Sequence, residues 1–264
     1  MALPSWLKAI RKIPLAFFFT VPMLFPVLPV ISQITAQWRG PDRSGSYPDA
    51  IDPAPWTSGG PPMAWHTEGI GTGYSSAVFD GTHIFVTGMK GSDDVMTCLL
   101  PDGKIAWQKV VGPAYDGPYP DTRSTPTVDQ ERVYAISGLG RITCLNAHTG
   151  EVIWSVNGKE TFGAVYGDWG VCESPLIIDH KLIYTPAGNN TTMVALDKMT
   201  GRTIWTSASL HDTSAYVSPL LFIHGGKQII ATLAERWFFG VDASAGRFLW
   251  KYDFASLLPE KGLK

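Results

Sequence analysis

Three stretches of this chain gather residue types that bind or react. Val111 to Arg123 carries Tyr115, Asp116, Tyr119, Asp121 and Arg123. Gly158 to Glu173 carries Phe162, Tyr166, Asp168, Trp169 and Glu173, and Ser209 to Val217 carries His211, Asp212 and Tyr216. Rings supply stacking surface, while guanidinium and carboxylate groups supply charge-assisted hydrogen bonds, so this mixture on loops reads as a binding surface for a protein, peptide or glycan. The plainer alternative is that Arg123 and Glu173 pair with each other or cap strand ends.

Other chemistries find little support. The six histidines, His66, His83, His148, His180, His211 and His224, sit mostly at turns or strand starts, with no two at metal-ligand spacing. No metal site and no catalytic residue is therefore assigned. A Gly-x-Ser-x-Gly elbow is absent, and the Gly-x-Gly within Gly69 to Gly73 precedes a strand instead of a helix, which is the wrong context for dinucleotide binding. Cys98 and Cys144 occupy equivalent repeat positions and read as small buried hydrophobes. With Cys172 they make three, too few for a disulfide framework.

The elements that would position these loops are announced by a repeat. Trp107, Trp154, Trp205 and Trp250 each follow a glycine by four residues, namely Gly103, Gly150, Gly201 and Gly246. The tryptophans are spaced by 47, 51 and 45 residues, a spacing suited to one four-stranded propeller blade per unit. The third unit is the clearest: Ser174 to Asp179, Lys181 to Thr185, Thr192 to Asp197 and Arg202 to Thr206 read as strands separated by turn residues. Hairpin turns are expected at Asp80-Gly81, Asp129-Gln130 and Asp179-His180. The expected fold is all-β, with blades at about 74–110, 124–157, 174–208 and 218–253 and an orphan outer strand at 62–66 ending in Trp65. Each indole is expected to wedge between adjacent sheets.

The N-terminus reads differently. Lys8, Arg11 and Lys12 precede an apolar run from Ile13 to Ile31, and Ala36 offers a small residue for cleavage, so residues 1–36 are expected to be a secretory signal peptide and 37–264 the folded domain. Pro14, Pro22, Pro26 and Pro29 argue against an uncleaved spanning helix, which would be the only route to a membrane. No Cys follows the run to take a lipid. The protein is expected to be periplasmic or secreted. A formal charge of −2 without Lys/Arg clusters argues against nucleic acid as a partner.

The segment Ala195-Leu-Asp197-Lys-Met-Thr200-Gly201-Arg-Thr-Ile-Trp205 resembles the docking motif of the pyrroloquinoline-quinone-type propeller repeat. Degraded copies keep Asn146, Thr149, Gly150 and Trp154, then Asp242, Gly246 and Trp250, while the first keeps Gly103 and Trp107. The resemblance implies a quinoprotein-type β-propeller of about eight blades, of which four and an orphan strand are present, with further strands expected beyond Lys264. It also implies an alternative function, a quinoprotein dehydrogenase acting on alcohols or sugars with pyrroloquinoline quinone and Ca²⁺. On that alternative the cofactor-binding candidates are Trp169 for stacking, Arg123 as carboxylate partner and Glu173 as an oxygen donor. The adjacent cysteines of the alcohol-oxidising members are missing, and no spacing reproduces their calcium site. The preferred reading is a non-catalytic scaffold or binding protein for which no cofactor is expected.

Overall fold

In the computed structural model, residues 36–47 and 58–257 are described. The chain divides into Met1–Ser32 and Gln33–Lys264, and every described residue belongs to the second unit. The expected signal peptide, up to Thr35, lies outside the described residues.

Sixteen short strands among the described residues form four separate antiparallel sheets, each a meander in sequence order. The first comprises β1 (Val78–Phe79), β2 (Ile84–Lys90), β3 (Asp93–Leu99) and β4 (Ile105–Pro113). The second comprises β5 (Thr127–Asp129), β6 (Arg132–Ile136), β7 (Arg141–Asn146) and β8 (Val152–Asn157). β9 (Leu176–Ile178), β10 (Lys181–Tyr184), β11 (Val194–Asp197) and β12 (Thr203–Thr206) make the third. β13 (Leu220–His224), β14 (Lys227–Leu233), β15 (Trp237–Asp242) and β16 (Phe248–Asp253) make the fourth. Four-stranded meanders in series are the blades of a β-propeller.

Local chemistry explains the hairpins. Ile178 pairs with Lys181 across the two-residue loop Asp179-His180, in which Asp179 takes a φ of 53°. His224 pairs with Lys227 across Gly225-Gly226, both with positive φ, the geometry a tight hairpin requires. The turn between the third and fourth strands is held from inside. Asp197 Oδ1 accepts hydrogen bonds from the backbone N–H groups of Met199 and Thr200 and from Thr200 Oγ1. Asn146 and Asp242 serve the same turns of the second and fourth sheets.

These turns meet the indoles. The Nε1–H of Trp107, Trp154 and Trp205 donates to the carbonyls of Ala147, Lys198 and Ala243, at 3.1, 3.0 and 3.2 Å, in each case the residue after the turn Asx of the next sheet. The same rings lie on Gly150, Gly201 and Gly246, where a Cβ would come closer than 3.0 Å to an indole carbon. Glycine is required twice over there, because all three also have φ near +70°. Trp65 covers Gly103 in the same manner, although residues 62–66 pair with no strand among the described residues. Opposite each tryptophan stands a small residue: Cys98, Cys144, Ala195 and Gly240.

Three apolar clusters fill the junctions. Phe85, Met96 and Leu145 anchor the one between the first and second sheets, Ile142, Leu182 and Tyr184 the next, and Ile183, Met193 and Phe239 the last. A second tie runs along the first strands. The backbone N–H of Ser76 donates to Thr125 Oγ1 at 3.0 Å, that of Thr125 to Ser174 Oγ at 3.0 Å, and that of Ser174 to Ser218 Oγ at 2.9 Å. Each sheet therefore hands a donor to a hydroxyl of the next, and this ladder needs no strand pairing between sheets.

Two loop expectations change. The first connection does not begin at Val111, because β3 and β4 pair as far as Asp93 with Pro113 and so absorb it. The second connection opens with a helical turn, α1 (Gly158–Phe162), where a loop was expected. Asn157 caps it by accepting from the N–H groups of Lys159 and Glu160, and Gly163 closes it in the left-handed conformation with φ 66°.

Candidate functional site

The three connections converge with the segment 36–47 around a cavity of about 1090 Å³. Arg123 and Trp169 both line it, with Tyr119 and Tyr216 from the flanking connections and Trp38, Arg39 and Arg43 from the N-terminal segment. Glu173 does not line it, although Cys172 and Ser174 do.

Trp169 stands at the centre of an aromatic group. Its ring centroid is 5.0 Å from that of Tyr216, tilted by 32°, and 6.3 Å from that of Tyr119 in an edge-on contact. The indole nevertheless stays 44% exposed and Tyr216 39%. The backbone beneath is fixed from several sides. Tyr216 Oη accepts from the Trp169 N–H at 3.1 Å, Arg123 Nη1 donates to the Trp169 carbonyl at 3.0 Å, and Tyr115 Oη donates to the Asp168 carbonyl. Half-exposed rings on an immobilised backbone form a contact surface that loses little freedom when something binds.

Among the described residues, every hydrogen bond of Arg123 goes to a backbone carbonyl. Besides Trp169, its Nη atoms donate to the carbonyls of Asp121, Tyr119 and Pro120, and its guanidinium lies 5.8 Å over the Tyr74 ring. Among the described residues it forms no ion pair with Glu173, contrary to the alternative that the two charges satisfy each other; the carbonyls of 119–121 and 169 take its hydrogens instead. Glu173 is 3% exposed and turned into the third sheet, where Oε2 accepts from the Thr185 N–H at 3.1 Å and Oε1 has no hydrogen-bond partner among the described residues. Burial pushes its carboxyl up to about 8, against the opposing pull of the Thr185 hydrogen bonds and the Arg43 charge.

Arg43 is the residue that sequence reasoning missed. It is 3% exposed, yet it reaches across the molecule to donate to the carbonyls of Ser174, Pro175 and Pro219, with Nε on Gln37 Oε1 at 2.8 Å. Burial lowers its guanidinium to about 10, offset in part by Glu173, so it remains charged at neutral pH. The signal available in sequence was the density of Trp38, Arg39 and Arg43 within a Gly/Pro segment. Arg39, Arg43, Tyr119 and Asp121 all adopt positive φ, between 60° and 62° for the arginines, a strain that recurs at ligand sites.

The docking residues stand apart from this cavity, at the turns between sheets. The thiols read as packing groups are deep: Cys98 and Cys144 are fully buried, and desolvation pushes them up to about 12 and about 11.

A cofactor carboxylate would need donor hydrogens that Arg123 Nη1 and Nη2 already give to four carbonyls, and Glu173 does not reach the cavity. No three His, Cys, Asp or Glu side chains among the described residues gather to hold a metal. The candidate residues do not fit the cofactor.

A family model described as outer membrane protein assembly factor BamB matches residues 50–160 and 92–257 of the chain. The outer membrane protein assembly factor BamB of Salmonella typhimurium is 27% identical over 184 residues, covering 67% of this chain and 43% of that protein. The Escherichia coli K12 protein of the same name is 26% identical over 174 residues, covering 64% and 40%. The chain thus spans about two fifths of the length of these curated relatives. BamB from Moraxella catarrhalis superposes with a TM-score of 0.50 at 20% identity, covering 70% of this chain and 50% of that one, which speaks for the fold alone.

Proposed function

The chain belongs to the family described as outer membrane protein assembly factor BamB, and from that premise we propose that it is a periplasmic propeller scaffold that binds protein without catalysing a reaction, in support of outer-membrane protein assembly. The observation that carries this reading is the exposed aromatic group around Trp169, immobilised by hydrogen bonds that Arg123 and Tyr115 donate to its backbone and that Tyr216 accepts from it. Surfaces of this kind suit recognition, since aromatic rings contribute large contact area at low entropic cost. The relatives' names support the same direction, and the signal-like N-terminus supports the compartment.

The test is to delete the gene from its native host and quantify folded β-barrel proteins in the outer membrane by their heat-dependent gel mobility. Reduced folded barrels, restored by the wild-type chain and less so by Trp169→Ala, are the expected result. Unchanged barrel levels would defeat the reading.

A further inference from the structure

The cavity has a charge balance that the binding role does not by itself require. Among the described residues three arginines line it, Arg39, Arg43 and Arg123, and no Asp, Glu, Lys or His does. None of the three is in an ion pair among the described residues; carbonyl oxygens and, for Arg43, the Gln37 amide oxygen hold them in place. A carbonyl orients a guanidinium without cancelling its charge, so the cavity keeps a positive field inside low-dielectric walls, where such fields are focused. Glu173, the acid that faces Arg43 electrostatically, is held largely protonated at neutral pH by its own burial.

The three cations differ in what they can still do. Arg43 is buried and Arg123 has given its Nη hydrogens to carbonyls, so both act at a distance. Arg39 is exposed and, among the described residues, uses only Nη2, on the Ser44 carbonyl at 3.0 Å, with its guanidinium 5.3 Å from the Trp38 ring. It can form a fork to an incoming carboxylate. One accessible fork backed by two remote charges is a poor match for a compact polyanion, which needs several donors converging on one point. It matches negative charges spread along a chain. Most of the remaining wall is apolar or aromatic, with Trp169, Tyr216 and Tyr119 exposing ring faces and edges.

We propose that this cavity binds an extended acidic peptide segment bearing aromatic side chains, with a carboxylate on Arg39 and rings stacked on Trp169 and Tyr216. The choice of a peptide rests on the scaffold reading above; the choice of acidic and aromatic character rests on the unpaired arginines and the exposed rings.

Fluorescence anisotropy of the purified full chain with the labelled peptide Gly-Asp-Tyr-Asp-Phe-Asp-Gly tests this, against one control with Lys for every Asp and another with Ala for both rings. The acidic aromatic peptide should bind about tenfold tighter than either control and weaken severalfold when NaCl rises from about 50 to about 300 mM. Trp169→Ala should weaken it about fivefold or more. Arg39→Glu, an exposed change that leaves the core untouched, should shift preference toward the lysine peptide. Equal binding of the Asp and Lys peptides, or binding indifferent to both substitutions in chains that keep the wild-type circular dichroism, would overturn the proposal. So would citrate displacing the peptide at matched ionic strength as effectively as unlabelled peptide, because that marks a small-anion site. Peptide binding with unchanged barrel levels in the deletion strain would leave this inference standing and remove the assembly role, and the converse result would do the reverse.

Discussion

Glu173→Gln should stabilise the protein, by an amount that depends on pH in a calculable way. The carboxyl is buried against Thr185 with one oxygen unpartnered, and burial raises it from 4.5 to about 8. A folded-state value above the unfolded one means that the native chain holds a proton the unfolded chain has released. The carboxyl's full stabilising contribution is therefore present below pH 4.5 and is lost as pH rises toward 8. The loss runs at about 1.4 kcal/mol per pH unit, because the native state carries one extra proton throughout that window. From pH 5 to pH 8 it accumulates to about 3.5 kcal/mol, and above about pH 9 it levels off as the native carboxyl ionises too. Glutamine is nearly isosteric, can still accept from Thr185 and never ionises. Urea unfolding of both proteins at half-unit pH intervals gives the difference in stability directly, and titrations common to both cancel. The difference should widen in favour of the glutamine variant with that slope. A difference that stays constant within about 0.5 kcal/mol between pH 5 and 8 would refute the claim that Glu173 is buried and protonated.

Gly201→Ala should destabilise by about 2 kcal/mol, since it places a Cβ at φ +73° and against the Trp154 ring, and should lower the melting temperature measured by calorimetry. Trp154→Phe should cost only about 1 kcal/mol, because the Lys198 carbonyl that loses the indole donor keeps the Tyr134 hydroxyl at 3.1 Å; a loss several times larger in chemical denaturation would show that the junction depends on the ring's full shape. Cys98 and Cys144 should resist a thiol reagent at pH 8 until denaturant is added, as both are fully buried and pushed far above that pH, and prompt modification of either, located by peptide mapping, would contradict the packing described.

The part of this fold legible in sequence is the part governed by local spacing. Glycine four residues before tryptophan could be read as a junction because both members of the device recur in every copy, and Asp197 with Thr200 announced their turn through short-range hydrogen bonds. Helix α1 was written locally too, in Asn157 and Gly163, but a five-residue helix leaves no apolar period to detect. The hydroxyl ladder had a faint signal in Thr125-Pro126, Ser174-Pro175 and Ser218-Pro219, whose partners lie 44 or 49 residues away. Arg43 had none. Apart from the nearby Gln37 amide oxygen, its acceptors are main-chain carbonyls 131 to 176 residues distant, and every residue has a carbonyl, so no side-chain type marks them. For the same reason Arg123 and Glu173, plausible partners by charge, turned out to serve different neighbours.

The reach of Arg43 also sets an order of events as the chain is made from its N-terminus. Each indole can seat itself as soon as the next sheet's turn appears, so the junctions can close one after another, about one unit's worth of chain apart. Arg43 must wait: Ser174 and Pro175 arrive only after two sheets have passed, and Pro219 only after three. Until then a charged arginine destined for the interior remains in water, and its burial becomes the latch that records that the third and fourth units have arrived in place.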